Sequence, residues 1–277
     1  MINRRIVTGI LLGLFAVLAL FSDLLFVLTV IVLISLGLYE FFSLIEKKNI
    51  QMYKYFGIVL GIVIPLSIYL KFELTRGWEL IFISAALITL FILQFSRRES
   101  ANAVLGISTT MFGIIYVAWF FSFMIKLKLL PHGTALVACL LLITKGADIG
   151  AFLVGSRWGR NTLIPRISPK KTIEGTLGGV FFGILGACAS KSFLPNLAIF
   201  SWTNMFFLGL GLGVLGLLGD LSESLIKRDC VAKDSNNLFP GMGGVLDVID
   251  SLLFTAPAFY FYLNYHISRV FTSGAGF

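Results

Sequence analysis

A chain of 277 residues that is 57% hydrophobic and only 13% charged, with a mean hydropathy of +0.94, lies outside the range of soluble domains. Its formal net charge of +8 would suggest nucleic acid as a partner of a soluble protein. In a chain this apolar it points instead to loops that meet anionic headgroups. Three cysteines without paired spacing and two isolated histidines, His132 and His266, argue against a disulfide framework or a zinc site.

From the N-terminus onward, apolar runs alternate with short polar breaks, and the runs are able to cross a bilayer core of roughly 30 Å as helices. They centre on Ile6–Phe21, Leu24–Ile45, Tyr55–Leu70, Glu79–Phe95, Ala103–Ile125, Gly133–Gly155, Thr176–Ser190, Leu197–Leu218 and Val245–Ser268. The pattern is that of an all-α polytopic integral membrane protein with about nine transmembrane helices. Arg4-Arg5 ahead of the first run resembles a signal-peptide start, but no small-residue cleavage site follows. Only Ser22-Asp23 parts that run from the next, so the two read as a helical hairpin.

Placement of the basic residues orients the spans. A cytoplasmic N-terminus puts Arg4, Arg5, Lys47, Lys48, Lys54, Arg97, Arg98, Arg157, Arg160, Arg166, Lys170, Lys171, Lys227, Arg228 and Lys233 on the cytoplasmic side. Only Lys71, Arg76, Lys126, Lys128, Lys191 and Arg269 then fall opposite, with Lys145 inside a span. The bias predicts N-terminus in and C-terminus out. No internal repeat or long linker breaks the chain. We therefore expect one membrane domain over 1–277, with 1–130 as scaffold and 131–277 carrying the chemistry.

The first half is plain. Its one conspicuous intramembrane charge is Glu40, in Leu38-Tyr39-Glu40-Phe41-Phe42. An acid there is a functional candidate, but it stands close to Glu46-Lys47-Lys48, so helix packing or an interfacial role is an equal expectation.

Polar segments concentrate in the second half. In Thr144–Arg160, Lys145 and Asp148 are three residues apart and share a helix face, so they can pair and lessen the cost of two charges in the membrane. In Pro165–Gly175, Ser168 followed by Pro169 reads as a helix start, serine as N-cap and proline at the first helical position. Lys170 and Lys171 would then occupy the first turn, where the dipole disfavours cations; a bound phosphate would account for them, as would lipid headgroups at a basic juxtamembrane cluster. The third segment, Gly219–Ser251, holds six of the fourteen acidic residues: Asp220, Glu223, Asp229, Asp234, Asp247 and Asp250. Asp220, Glu223 or Ser224, and Lys227 line one helical face. After the loop Pro240-Gly241-Met242-Gly243-Gly244, Asp247 and Asp250 fall in the first turns of the last span. Glycines allow backbone amides to approach a ligand, and aspartates offer hard oxygens for Mg2+, which binds through one or two carboxylates plus substrate phosphates.

Ser224-Leu225-Ile226-Lys227-Arg228, then Lys233-Asp234, then Pro240-Gly241-x-Gly243-Gly244-x-x-Asp247-x-x-Asp250 closely resembles the signature of the phosphatidate cytidylyltransferases, also called CDP-diacylglycerol synthases. Arg166-Ile167-Ser168-Pro169-Lys170-Lys171-Thr172-x-Glu174-Gly175 is similar to that family's second segment, and Asp148 matches an acid preceding it. The resemblance covers about Lys145 to Pro257; before that the chain matches in character only. Met242 stands where the family usually has histidine and Val248 where it usually has arginine, so these two positions are expected to modulate binding and not the reaction type.

The resemblance implies transfer of a cytidylyl group from CTP to phosphatidate in the bilayer, giving CDP-diacylglycerol and pyrophosphate for phospholipid biosynthesis. It implies Asp220, Lys227, Asp247 and Asp250 as catalytic residues, with Asp220 and Asp247 holding Mg2+ and Asp250 as a further ligand or support. Lys170, Lys171, Lys227, Arg228 and Lys233 would clamp phosphates, and Asp148, Ser168, Ser224, Asp234, Gly243 and Gly244 would line the substrate site. It also implies a homodimer. With no transit segment visible, a bacterial inner membrane is expected, and the charge bias puts both lysine-bearing loops on the cytoplasmic side, where CTP is. Two other readings stand beside this one: a CTP-dependent enzyme acting on another lipid phosphate, and an ion-coupled transporter using Lys145, Asp148, Asp220 and Asp247 as a relay.

Overall fold

The computed structural model describes residues 2–71, 78–97, 101–236, 238–239 and 241–272. Arg76, Arg98 and Pro240, used in the charge placement and the motif above, lie outside the described residues, as do the side chains of Arg4, Arg5 and Arg269. The helices are α1 (Ile2–Leu20), α2 (Asp23–Glu46), α3 (Lys54–Tyr69), α4 (Trp78–Phe95), α5 (Ala103–Gly113), α6 (Phe120–Leu129), α7 (Gly133–Trp158), α8 (Ile173–Ser190), α9 (Trp202–Asp229) and α10 (Val245–Thr272). A π-helical turn, Ile114–Trp119, joins α5 to α6 into one continuous run. Between α7 and α8 lies an antiparallel hairpin of β1 (Thr162–Ile164) and β2 (Ser168–Thr172).

A helix coincides with each expected span. Six among the described residues are long and apolar enough to cross a membrane: Asp23–Glu46, Ala103–Leu129, Gly133–Trp158, Ile173–Ser190, Trp202–Asp229 and Val245–His266. Val7–Leu20, Lys54–Tyr69 and Leu80–Phe95 are apolar but shorter. The chain is an all-α polytopic membrane protein, with a small hairpin between α7 and α8.

The chain packs as two compact units, Met1–Ile125 with Asp229–Val248, and Lys126–Arg228 with Ile249–Phe277. The segment Asp229–Val248 packs with Met1–Ile125.

In the first unit, Ser22 ends the α1–α2 corner by accepting a hydrogen bond from the Leu25 amide at 3.4 Å, an ordinary N-cap. α2 buries Phe26, Val30, Ile34, Leu38, Phe41 and Phe42, the spacing of one helical face. On α3, Gly57 faces the Phe42 ring and Gly61 faces Leu38, with no room for a β-carbon at either. Small residues at such crossings let backbones approach, which is how helices gain packing contacts in lipid. Leu80, Phe91 and Phe95 of α4 stay exposed, as expected of side chains that face acyl chains.

The second unit uses the same device repeatedly. Gly178 of α8 meets Val154 of α7, and Gly150 of α7 meets Phe182 of α8. Gly209 of α9 lies against the backbone of α8 at Ile184 and Gly183. Gly219 of α9 lies against the Asp250 carbonyl of α10. These contacts draw α7, α8, α9 and α10 together where the acidic residues are concentrated.

The helix start expected at Ser168-Pro169 is corrected by the structure. Residues 168–172 are strand β2, and the N-cap is Thr172, whose hydroxyl accepts from the Gly175 amide at 3.1 Å. An extended Ser168 before proline would suit an N-cap as well as a strand; what decides is the pairing of Ser168 with Ile164 and of Thr172 with Thr162, which carries the chain on as a strand to the next capping residue. Glu174 then closes the hairpin, accepting from the Arg160 amide at 3.1 Å and from Asn161 Nδ2 at 2.8 Å. Lys170 and Lys171 therefore do not sit in a first helical turn, and the dipole argument for an anion there falls.

Candidate active site

In the second unit, four carboxylates and three lysines come from α7, β2, α9 and α10. The i, i+3 pair of α7 forms as expected, Lys145 Nζ lying 3.0 Å from Asp148 Oδ2. Ser251 of α10 joins it: its hydroxyl is 3.0 Å from Lys145 Nζ and 3.2 Å from Asp148 Oδ2. Strand alternation separates the two neighbouring lysines of β2. Lys170 is exposed, while Lys171 is half-buried and pairs with Asp220 at 2.6 Å. On α9, Ser224 Oγ stands 3.5 Å from the same carboxylate, at Oδ1. Glu223, fully buried, pairs one turn on with Lys227, which is 8% exposed.

Asp250 is the fourth carboxylate, 7% exposed. Its Oδ1 accepts from the Ser251 amide, and Asp220, Lys145, Asp148 and Glu223 are the charges around it. Arg228 lies at the exposed end of α9 and donates from Nε to the Ile167 carbonyl at 3.1 Å, tying α9 to the hairpin. Ser168 sits half-buried in β2 and caps nothing. Asp148, Lys171, Asp220, Ser224, Lys227, Arg228 and Asp250 are thus gathered into one unit from four separate elements.

Lys233, Asp234, Gly243, Gly244 and Asp247 belong to the first unit. Lys233 and Asp234 are exposed. Asp247 falls in the first turn of α10 and turns back on it. Its Oδ2 accepts from the Gly244 amide at 2.8 Å, the Ser235 amide at 3.0 Å and the Ser235 hydroxyl at 2.7 Å. This is the reciprocal half of a capping box. Gly243 has φ +96°, a backbone conformation that side chains rarely adopt. At Gly244 a β-carbon would overlap Ser235 Oγ and Glu40 Oε2, so the close approach that glycine permits here is to the protein's own groups. Met242, one of the two departures from the family pattern, places its thioether by α1: a methyl group at Gly9 would stand 3.9 Å from its sulfur.

In the same unit, Lys48 and Asp229 pair at 2.6 Å, and that hydrogen bond holds the Lys48 amine above its ordinary value. Burial, then the Asp229 charge, pushes the Cys230 thiol up.

In the sequence, Glu40 stands out without its partners, and Ser235 and Ser251 do not stand out at all. Glu40 is buried and accepts from the Val245 and Leu246 amides, more than two hundred residues away. Its being an acid in an apolar span is the available signal. Nothing local distinguishes the two serines.

The donor set bears on a metal. Among the described residues no group of three or more His, Cys, Asp or Glu side chains is placed to hold an ion alone. The second-unit cluster nevertheless carries one more carboxylate than lysine. That suits a cation held by one or two carboxylates and completed by substrate phosphates, and is poorly suited to a protein-only cage. Asp220 and Asp247, expected to share the ion, fall in different units. The metal role of Asp247 rests on the motif alone.

Comparison with known proteins agrees with this chemistry. The profile of the cytidylyltransferase family matches residues 3–266. A Synechocystis protein named phosphatidate cytidylyltransferase is 33% identical over 261 residues, covering 83% of this chain and 85% of that protein. A Bacillus subtilis protein of the same name is 29% identical over 263 residues, covering 94% and 97%. An uncharacterized Escherichia coli protein, YnbB, is 40% identical over 156 residues, and the chain spans about half its length, 51%. A profile match over nearly its whole length settles the matter: the chain belongs to the cytidylyltransferase family.

Proposed function

We propose that the protein transfers a cytidylyl group from CTP to phosphatidate, forming CDP-diacylglycerol and releasing pyrophosphate. The observation that carries this reading is the second-unit cluster, where carboxylates and lysines pair within and between glycine-packed helices and the hairpin. The two relatives aligned over most of their length carry the name of that activity.

The chemistry asks little of the protein beyond positioning and charge neutralisation. A phosphate-monoester oxygen of phosphatidate is already a competent nucleophile. It attacks the α-phosphorus of CTP, the bond from that phosphorus to the α,β-bridging oxygen breaks, and the electron pair leaves with pyrophosphate. Lys171, now paired with Asp220, and Lys227, paired with Glu223, supply ammonium groups that can turn to phosphate oxygens. Lys170 and Arg228 are exposed and suit the outer phosphates or the lipid headgroup. Asp148 and Ser251 fix Lys145. Ser224 supports Asp220.

Mg2+ would be held by Asp220 and Asp250 together with the CTP phosphates, lowering the charge that an incoming phosphate oxygen meets. We further propose nine membrane spans with a cytoplasmic N-terminus, a bacterial inner-membrane location, a site open to cytoplasmic CTP, and a homodimer. The excess of basic residues in the loops assigned to the cytoplasm supports the orientation.

The test offers purified protein labelled CTP with phosphatidate and a polyprenyl phosphate at equal mole fraction in micelles. Label entering CDP-diacylglycerol supports the proposal. Label entering only the polyprenyl product moves the reading to another lipid phosphate, and ion-driven flux in proteoliposomes without CTP turnover moves it to a transporter.

A further inference from the structure

Glu40 lies within the half that reads as scaffold, 2% exposed in an apolar helix. A carboxylate so placed is costly unless its oxygens are satisfied. Here both are. Oε1 accepts from the Val245 amide at 3.0 Å, and Oε2 from the Leu246 amide at 2.9 Å and the Ser235 hydroxyl at 2.9 Å. Val245 and Leu246 are the first two residues of α10, whose amides have no intrahelical acceptor. Asp247 serves the preceding amide, that of Gly244, and shares the Ser235 hydroxyl with Glu40. Two carboxylates from distant parts of the chain therefore close the positive end of one helix, and Ser235 bridges them.

The absence of side chains at Gly243 and Gly244 fits this arrangement. Gly243 takes a left-handed turn into the helix, and Gly244 leaves space that Glu40 and Ser235 fill. The helix end is thus already occupied by the protein's own anion. The part of the family motif from Lys233 to Asp247 is held in place from α2.

We propose that Glu40 is a positioning residue for the reaction: it fixes where α10 begins and so sets the placement of the Lys233–Asp247 loop. This rests on the reading that the loop serves CTP and phosphatidate. Removing the Glu40 charge leaves the helix-start amides short of an acceptor in an apolar setting, and the loop loses its anchor without losing any residue that meets substrate.

The experiment uses the full chain in detergent micelles with Glu40→Gln, which keeps the shape but offers one acceptor oxygen, and Glu40→Asp, which keeps the charge. Amide exchange over Gly243–Leu246 is expected to speed up by about tenfold or more in Glu40→Gln, while α8 in the other unit is unchanged. Turnover should fall by about tenfold, and Glu40→Asp should recover part of both losses. Unchanged exchange at Val245 and Leu246 would overturn the proposal, as would faster exchange with full turnover. If Glu40→Gln does not fold, the same two readouts on Glu40→Asp decide. A wild-type protein that transfers no cytidylyl group would sink the functional reading instead, and the exchange data would still confirm or refute the clamp.

Discussion

Lys170 and Lys171 are neighbours in sequence and take opposite sides of a strand, one exposed and one paired with Asp220 at 2.6 Å. A helical first turn would have given them nearly equivalent surroundings; β2 makes them unequal. Lys171→Met is therefore expected to lower kcat/KM for CTP by about 2–3 kcal/mol, roughly fifty-fold, because it strands the Asp220 carboxylate as well as removing a phosphate ligand. Lys170→Met should cost several-fold less, and steady-state kinetics on the two variants decide the point. Equal losses would favour the helical arrangement. At this scale the sequence was legible where partners are close along the chain. Lys145 and Asp148 pair as their i, i+3 spacing indicates. It was not legible for Lys171 and Asp220, which meet only because a hairpin and two glycine-packed helices intervene. Nor was it for Ser251, whose hydroxyl reaches an α7 pair 103 and 106 residues away.

The helices were the legible elements, because apolar runs in a membrane protein leave few alternatives to helix. The hairpin was not: Ser-Pro reads as a helix start, and the extended backbone it imposes on Ser168 fits an edge strand equally, so the choice was made by the pairing with Thr162–Ile164 and by Thr172 and Glu174 further on. Glycine positions were visible in the sequence but not their partners. Gly219 abuts the Asp250 carbonyl, whereas a methyl group placed at Gly211 of the same helix would meet nothing within 4 Å. Gly219→Ala is expected to destabilise the protein by about 1–3 kcal/mol through overpacking, seen as a lower melting temperature in detergent. Gly211→Ala should leave the melting temperature unchanged or slightly raise it, since alanine is the better helix former. Equal effects at the two positions would show that α9 and α10 do not approach as described.

For the whole molecule, composition alone placed the chain in the membrane, and the motif placed it in its family. Two features were hidden. The acid-rich segment is divided at Asp229, with Asp229–Val248 returning to the first unit, so the half that looked like scaffold holds part of the motif through Glu40. Among the described residues, three of the apolar helices are also shorter than the six that are long enough to cross by themselves. The proposed nine spans with a cytoplasmic N-terminus require the C-terminus on the opposite side, and paired reporter fusions at the two ends check this directly. Both termini on one side would mean an even number of crossings, and one of the short helices would then lie along the interface.

The proposed reaction is tested most directly by following pyrophosphate and lipid product together, in micelles containing phosphatidate, CTP and Mg2+, for the wild-type protein and Asp220→Asn. Equimolar pyrophosphate and CDP-diacylglycerol are expected from the wild type, both requiring Mg2+, with a loss of about a hundredfold or more in the variant and its melting temperature retained. Full turnover by Asp220→Asn, or CTP consumed without CDP-diacylglycerol, would contradict the assignment.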